Sequence, residues 1–180
     1  MINRVKDTIQ SKIPLKSDRI QIRKFKETDI DNFWYYQSDD SLYKYLLCNK
    51  IKDYDTAEGS IQSLISFYKV HKITRYVIAN KDKNEMLGVI SMYPNTLDNG
   101  KIEVEIGYWI GIGHRNKGIA TEALGLVVNM LKHIKGIERL TLQVMQGNTY
   151  SLKIAKRYGF ICVSKDTIDN KIVYKLIKQI

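Results

Sequence analysis

The stretch His114 to Leu124, HRNKGIATEAL, sets basic residues, a glycine and a small residue directly before a run of helix-forming residues. A helix beginning here leaves its first backbone N–H groups unpaired and carries partial positive charge at that end, so it attracts an anion. Gly118 presents no Cβ to an approaching group, Ala120 keeps the next position narrow, and Arg115 and Lys117 add formal charge. A phosphate or pyrophosphate suits that chemistry. The same residues also read as a turn shaped by Gly111, Gly113 and Gly118 with solvated cations beside it. Neither a P-loop pattern nor GxGxxG is present.

Other chemistry-bearing residues are sparse. The two cysteines, Cys48 and Cys162, lie in no CxxC or Cys/His cluster, and His71, His114 and His133 are scattered, so the reading includes no metal site. The 180-residue chain fits one domain that buries roughly 70% of its unfolded surface. With 44% hydrophobic and 27% charged residues, no membrane-length apolar run and no signal-peptide pattern at the start, it reads as cytoplasmic with no membrane partner. A net charge of +10 favours a polyanionic partner. The lysines are dispersed rather than blocked, which argues for a solvated basic surface and against a nucleic-acid arm.

The elements that must position the anion site follow from periodicity. RIQIRKF from Arg19 reads as a strand, a helix opens at Asp29-Ile30-Asp31, and Asp55-Thr56 with Glu58 resembles a capping box for a second helix. TRYVIAN and EMLGVISMY read as a hairpin around Asn80 to Asn84. KIEVEIGYWIG alternates Ile102, Val104, Ile106, Tyr108, Ile110 and Ile112 with Glu103, Glu105, Gly107, Trp109 and Gly111, as in a strand with one buried and one polar face. An apolar stripe through Ala123, Leu124, Val127 and Leu131 gives the next helix. The strand RLTLQVM, a short helix capped by Asn148, and the strands FICVSK and KIVYKLI around a turn at Asp166 to Asn170 complete the order. The result is a mixed α/β domain in which the crossover over residues 102 to 145 makes two strands parallel.

Arg115-Asn116-Lys117-Gly118-Ile119-Ala120 matches the R/Q-x-x-G-x-G/A signature of the GNAT family of N-acetyltransferases. EIGYWIG before it, ATEAL after it, Asn148-Thr149-Tyr150-Ser151 leading to Tyr158-Gly159-Phe160, and the opening IQIRKFKETDIDNF resemble the RimJ/RimL-like subgroup, which acetylates N-termini of ribosomal proteins. The resemblance covers roughly Arg19 to Ile177, so residues 1–18 are taken as an N-terminal extension of a 19–180 domain. It implies a central, mostly antiparallel sheet of about six or seven strands with helices on both faces and a splayed parallel pair that binds coenzyme A.

By that resemblance, acetyl coenzyme A is the co-substrate, with its pantetheine arm along the backbone of Tyr108, Trp109 and Ile110 and its pyrophosphate on Asn116, Lys117, Gly118, Ile119 and Ala120, with Arg115, Thr121, Asn148 and Ser151 nearby. An attacking amine needs its lone pair free, so a base takes a proton directly or through water. Glu105 is the first candidate and Glu103 the second, while either also reads as an exposed strand carboxylate paired with lysine. A bulge in this strand would switch the facing of residues beyond it. Ala155 stands where many relatives place a tyrosine, which leaves Ser151 as donor to the departing sulfur, with Tyr158 packing instead. Asn148 and Ser151 also read as ordinary first-turn residues.

Phe33 to Leu47, FWYYQSDDSLYKYLL, forms one lip of the acceptor site in relatives; alternatively Phe33, Trp34 and Tyr36 pack on the sheet and Asp39-Asp40 is a solvated turn. The implied acceptor is a primary amine, either a protein N-terminus or a small amine, and basicity disfavours a polycation. A homodimer is compatible with this reading. Two other classes stay open: a non-catalytic acyl-coenzyme A binding module, and a basic ribosome- or RNA-surface protein.

Overall fold

The computed structural model describes residues 1–70 and 74–180; His71 lies outside them. The chain runs α1 (Ile2–Ser11), β1 (Leu15–Lys16), β2 (Ile20–Arg23), α2 (Ile30–Gln37), α3 (Tyr54–Phe67), β3 (Arg75–Asn80), β4 (Met86–Thr96), β5 (Ile102–Ile110), α4 (Ile119–Leu131), β6 (Ile137–Met145), α5 (Thr149–Arg157), β7 (Ile161–Ile168) and β8 (Lys171–Gln179). Eight strands form one sheet in the order β1-β2-β3-β4-β5-β6-β8-β7. Among the described residues every neighbouring pair is antiparallel except β5 and β6. The strand beyond the expected six or seven is the two-residue β1.

The motif shared by the first strand and helix has a physical basis. Arg23 and Asp29 form a buried bidentate ion pair, Nη1 to Oδ2 at 2.7 Å and Nη2 to Oδ1 at 2.8 Å, which ties β2 to the entrance of α2. The first eleven residues are part of the same body, because α1 buries Val5 and Ile9 in the hydrophobic core that contains β2 to β6.

Local chemistry corrects three expectations. The cap of α3 is Asp53, which accepts from the Thr56 N–H at 2.8 Å, so the helix starts before the expected box at Asp55. β5 ends at Ile110, and Ile112 is 42% exposed rather than buried, because the chain leaves the sheet for the α4 loop. The β7–β8 turn is only Asp169-Asn170, both with positive φ (47° and 59°), the two-residue geometry that matches strand twist.

The β4–β5 ladder is regular from Gly88↔Ile110 to Thr96↔Ile102, so no bulge switches the facing of β5 within this span. Trp109 meets Phe33 and Tyr36 of α2, with ring centroids 6.2 and 6.3 Å away. Consecutive strand residues point to opposite faces, so Tyr108 points to the other one, where Ser151 of α5 acts on its hydroxyl. Helices thus cover both faces at the level of the site. Among the described residues no helix is long and apolar enough to cross a membrane.

Candidate active site

The loop into α4 is shaped by its main chain. Gly113, Asn116 and Gly118 all have positive φ, and Gly118, at 78°, is the N-cap of α4 without any side-chain cap. A Cβ on Gly118 would meet only an Arg19 nitrogen at 3.4 Å, so this glycine is required by the left-handed turn rather than by crowding. Gly111 is required for the opposite reason: a Cβ there would lie 2.5 Å from the Tyr36 ring.

Arg115 and Lys117 of this loop have different surroundings. Arg115 is held by Ile110 O (2.9 Å), Ser41 Oγ (2.7 Å) and Asp39 Oδ2 (2.8 Å), so it ties the loop to the turn at Asp40–Tyr45 and its charge is already paired. Asp39 is therefore not a solvated turn residue; it caps that turn through Ser41 N at 3.0 Å. Its carboxyl is held below the usual range, chiefly by the Ser41 hydroxyl, with burial opposing and Arg115 assisting. Lys117 is exposed, and its carbonyl accepts from Arg19 Nη1 at 3.2 Å. Arg19 also pairs with Glu122 in the first turn of α4. Burial pushes the Glu122 carboxyl up, but Ser17 and Arg19 outweigh it and hold it below its ordinary value.

β5 and β6 stay paired only from Ile102↔Ile137 to Glu105↔Thr141. Beyond that point β5 follows β4 to Ile110 while β6 follows β8 to Met145, and the two strands part. Gly111 N–H bonds Leu87 on the β4 side, whereas the Ile110 carbonyl turns the other way to Arg115. By alternation the backbone of Tyr108 also faces the gap, and that of Trp109 faces β4. Of the three residues assigned to the pantetheine arm, Tyr108 alone therefore offers an uncommitted backbone carbonyl to the gap.

A cleft of about 730 Å³ runs from the gap to the α4 N-terminus. Tyr108, Trp109, Ile110, Arg115, Asn116, Gly118, Ile119, Ala120, Thr121, Asn148 and Ser151 all line it, and Lys117 does not. Lys44, Lys153 and Arg157, which the sequence reading passed over, add cationic charge to the same wall. Lys153 and Arg157 are one helical turn apart on α5, a spacing visible in the sequence once Ser151 is placed on that helix.

A second cavity of about 160 Å³ opens beside the first, and Tyr45, Leu46, Tyr108, Asn148 and Ser151 line both. Glu105 and Gln143 face this smaller cavity, joined by a hydrogen bond from Gln143 Nε2 to Glu105 Oε2 at 3.0 Å. Glu103 is excluded from it. That side chain is buried, 2.6 Å from Arg139 Nε and 3.6 Å from Lys175 Nζ, rather than exposed as its position suggests.

Where the cavities meet, the Tyr108 hydroxyl is buried without a hydrogen bond of ordinary geometry. Burial pushes this phenol up, with the Ser151 hydroxyl working against it. Asn148 caps α5 by accepting from Ser151 N at 3.1 Å. Tyr158 packs away from the cleft, donating to Thr121 O at 2.7 Å over Gly125. Phe33 and Tyr36 are core residues, and the lip is made instead by the turn carrying Ser41, Leu42, Lys44 and Tyr45.

The parallel pair thus parts over a helix N-terminus, with the Glu105 carboxylate beside the parting. Residues 19–161 match the model of the acetyltransferase (GNAT) domain, and the chain belongs to that family. It is 27% identical over 146 residues to the uncharacterized N-acetyltransferase p20 of Bacillus licheniformis, covering 81% of each chain. The fold is shared with the ribosomal-protein-S5-alanine acetyltransferase of Vibrio fischeri (TM-score 0.76, 15% identity, 93% of this chain and 96% of that one). It is shared also with the microcin C7 self-immunity acetyltransferase MccE, solved with acetyl-CoA and AMP (TM-score 0.73, 19% identity, 91% and 94%). Of the classes the sequence left open, the enzyme is the one this membership carries: an acetyl-CoA-dependent N-acetyltransferase.

Proposed function

We propose that the enzyme transfers acetyl directly from acetyl-CoA to a primary amine within the splay, the acceptor being a protein N-terminus of the ribosomal-protein type or a small amine, with no metal involved. The carrying observation is that the parted β5–β6 pair and the left-handed N-cap of α4 open into one cleft. The pyrophosphate suits the N–H groups of Asn116 to Ala120, with Lys44, Lys153 and Arg157 as charge partners, and the pantetheine amides suit the Tyr108 backbone. The buried Tyr108 hydroxyl, which has the Ser151 hydroxyl beside it but no hydrogen bond of ordinary geometry, supports a polar ligand atom at the junction, since buried polar groups are normally paired.

In this reading Glu105 takes a proton from the amine, whose lone pair forms the bond to the acyl carbon. The carbon–sulfur bond breaks with its electron pair on sulfur. Ser151 and Tyr108 donate hydrogen bonds there, and solvent supplies the final proton. The Tyr108 phenol remains protonated, because burial raises its pKa, and so serves as a hydrogen-bond donor rather than as an acid. A net charge of +10 disfavours polycationic acceptors, and the resemblance to ribosomal-protein acetyltransferases favours peptide N-termini.

The test joins stability to turnover. Acetyl-CoA at about a hundredfold over Kd adds roughly 2.7 kcal/mol, a Tm rise of roughly 5 to 10 °C for a chain of this size. Thiol release on adding peptides with free N-termini or small primary amines then reports transfer. Absence of any Tm rise overturns the cofactor assignment.

A further inference from the structure

The Glu105–Gln143 hydrogen bond spans β5 and β6 just past their last ladder pair, Glu105↔Thr141, at the point where the strands part. A carboxylate accepts only, so the atom of Gln143 that meets Glu105 must be the amide nitrogen, which leaves the amide oxygen to accept from another group. No donor among the described residues reaches Gln143 Oε1, and none reaches Glu105 Oε1. Both side chains line the 160 Å³ cavity, in which Glu105 is the charged group, while Gly107 beside them adds no Cβ contact to the space.

We infer that Glu105 and Gln143 form a two-point cradle for the hydrogens of a primary amine, making Gln143 a specificity-determining residue that excludes secondary amines. The inference rests on the transfer reading above. A neutral primary amine has two N–H bonds and one lone pair. If Glu105 Oε1 accepts one hydrogen and Gln143 Oε1 the other, the lone pair is left for the acyl carbon. A secondary amine puts carbon where the second hydrogen belongs, so the solvent-exposed Gln143 oxygen falls back on water and the second contact to the amine is lost. The bond from Gln143 Nε2 also fixes which carboxylate oxygen is free, so the residue orients the base as well as holding the substrate.

The experiment uses methylamine and dimethylamine, small enough to need no further recognition, at matched concentrations of free base. Thiol release from acetyl-CoA is followed with the enzyme-free rate subtracted. Wild type is expected to turn over methylamine and to spare dimethylamine. In Gln143→Leu the preference should fall roughly 3- to 10-fold, because one exposed hydrogen-bond acceptor has been removed. Gln143→Glu restores an acceptor oxygen and so retains the preference. It also sets a second carboxylate against Glu105, and the acidic limb of its rate–pH profile should move upward, which a merely structural side chain would not cause.

Equal rates for the two amines in wild type would overturn the cradle, as would an unchanged preference in Gln143→Leu. Release from neither amine, in protein that acetyl-CoA still stabilises, would do the same. Loss of that acetyl-CoA stabilisation in wild type would strike the transfer reading instead.

Discussion

At the α4 end of the cleft the main chain makes the geometry: Gly113, Asn116 and Gly118 turn the loop through left-handed conformations, and the helix N-terminus then faces the cleft with no side-chain cap. At the Glu105 end the cavity is lined by side chains from separate elements, Glu105 on β5, Gln143 on β6, Ser151 on α5 and Tyr45 on the turn before α3. The first end depends on φ angles and on the backbone N–H groups they expose. The second depends on which side chains survive and on how strands separated in sequence are registered.

The sharpest break of that contrast is Glu105→Gln. A positioned base contributes on the order of 10²- to 10⁴-fold, so kcat/KM should fall by about that much. The Tm rise on adding acetyl-CoA should persist, because no atom at the α4 end has changed. A parallel fall in the acetyl-CoA response would show that the two ends are not separable.

Glu103→Gln gives the opposite pattern from two residues away on the same face. Removing the partner of Arg139 and Lys175 from a buried position costs about 1.5–3 kcal/mol, a Tm fall of roughly 3 to 12 °C. The activity of the protein that remains folded should be unchanged. Loss of turnover without loss of stability would exchange the roles of the two glutamates.

The same contrast explains what the sequence shows. The α4 loop was legible because its requirements are local: glycine where φ is positive, small residues at the helix entry, Arg115 and Lys117 nearby. Even there the pairing of Arg115 gives no local signal, since its partners Asp39 and Ser41 lie more than seventy residues away. Alternation placed Glu103 and Glu105 on one face but not their different fates, which follow from the β5–β6 ladder ending at Glu105↔Thr141. Gln143 carried no local signal at all, because an isolated polar residue in a strand has no meaning until its cross-strand neighbour is known. Likewise Val5 and Ile9 of α1 form too short an apolar stripe for the sequence to show that they reach the core.

A smaller effect tests whether φ alone matters at Gly118. Gly118→Ala forces a Cβ into the left-handed region at a cost of about 1–2 kcal/mol, while Gly118→Asn should cost less because asparagine visits that region. Acetyl-CoA affinity, read by Tm rise at fixed ligand, should follow the same order. Equal weakening by both would make closeness to the bound phosphate, rather than backbone conformation, the reason for the glycine.

The smallest expected effect lies where the two ends are joined, at Asp39 and Arg115. The folded Asp39 carboxyl is held below its ordinary value, chiefly by the Ser41 hydroxyl, against burial and with help from Arg115. A depressed folded pKa contributes stability above the unfolded value of about 3.9, and that contribution disappears as pH falls through the lowered folded value. Asp39→Asn should therefore lower Tm by about 1–3 °C at neutral pH, an increment kept small by solvent near the pair. Wild type and variant should differ by a constant amount down to roughly pH 5 and converge below about pH 4. A difference that persists in strong acid would mean that the turn is held by the Ser41 contacts and not by the charge on Asp39. In that case Arg115 would be free to turn toward an anion in the cleft, and the α4 end would have a side-chain component after all.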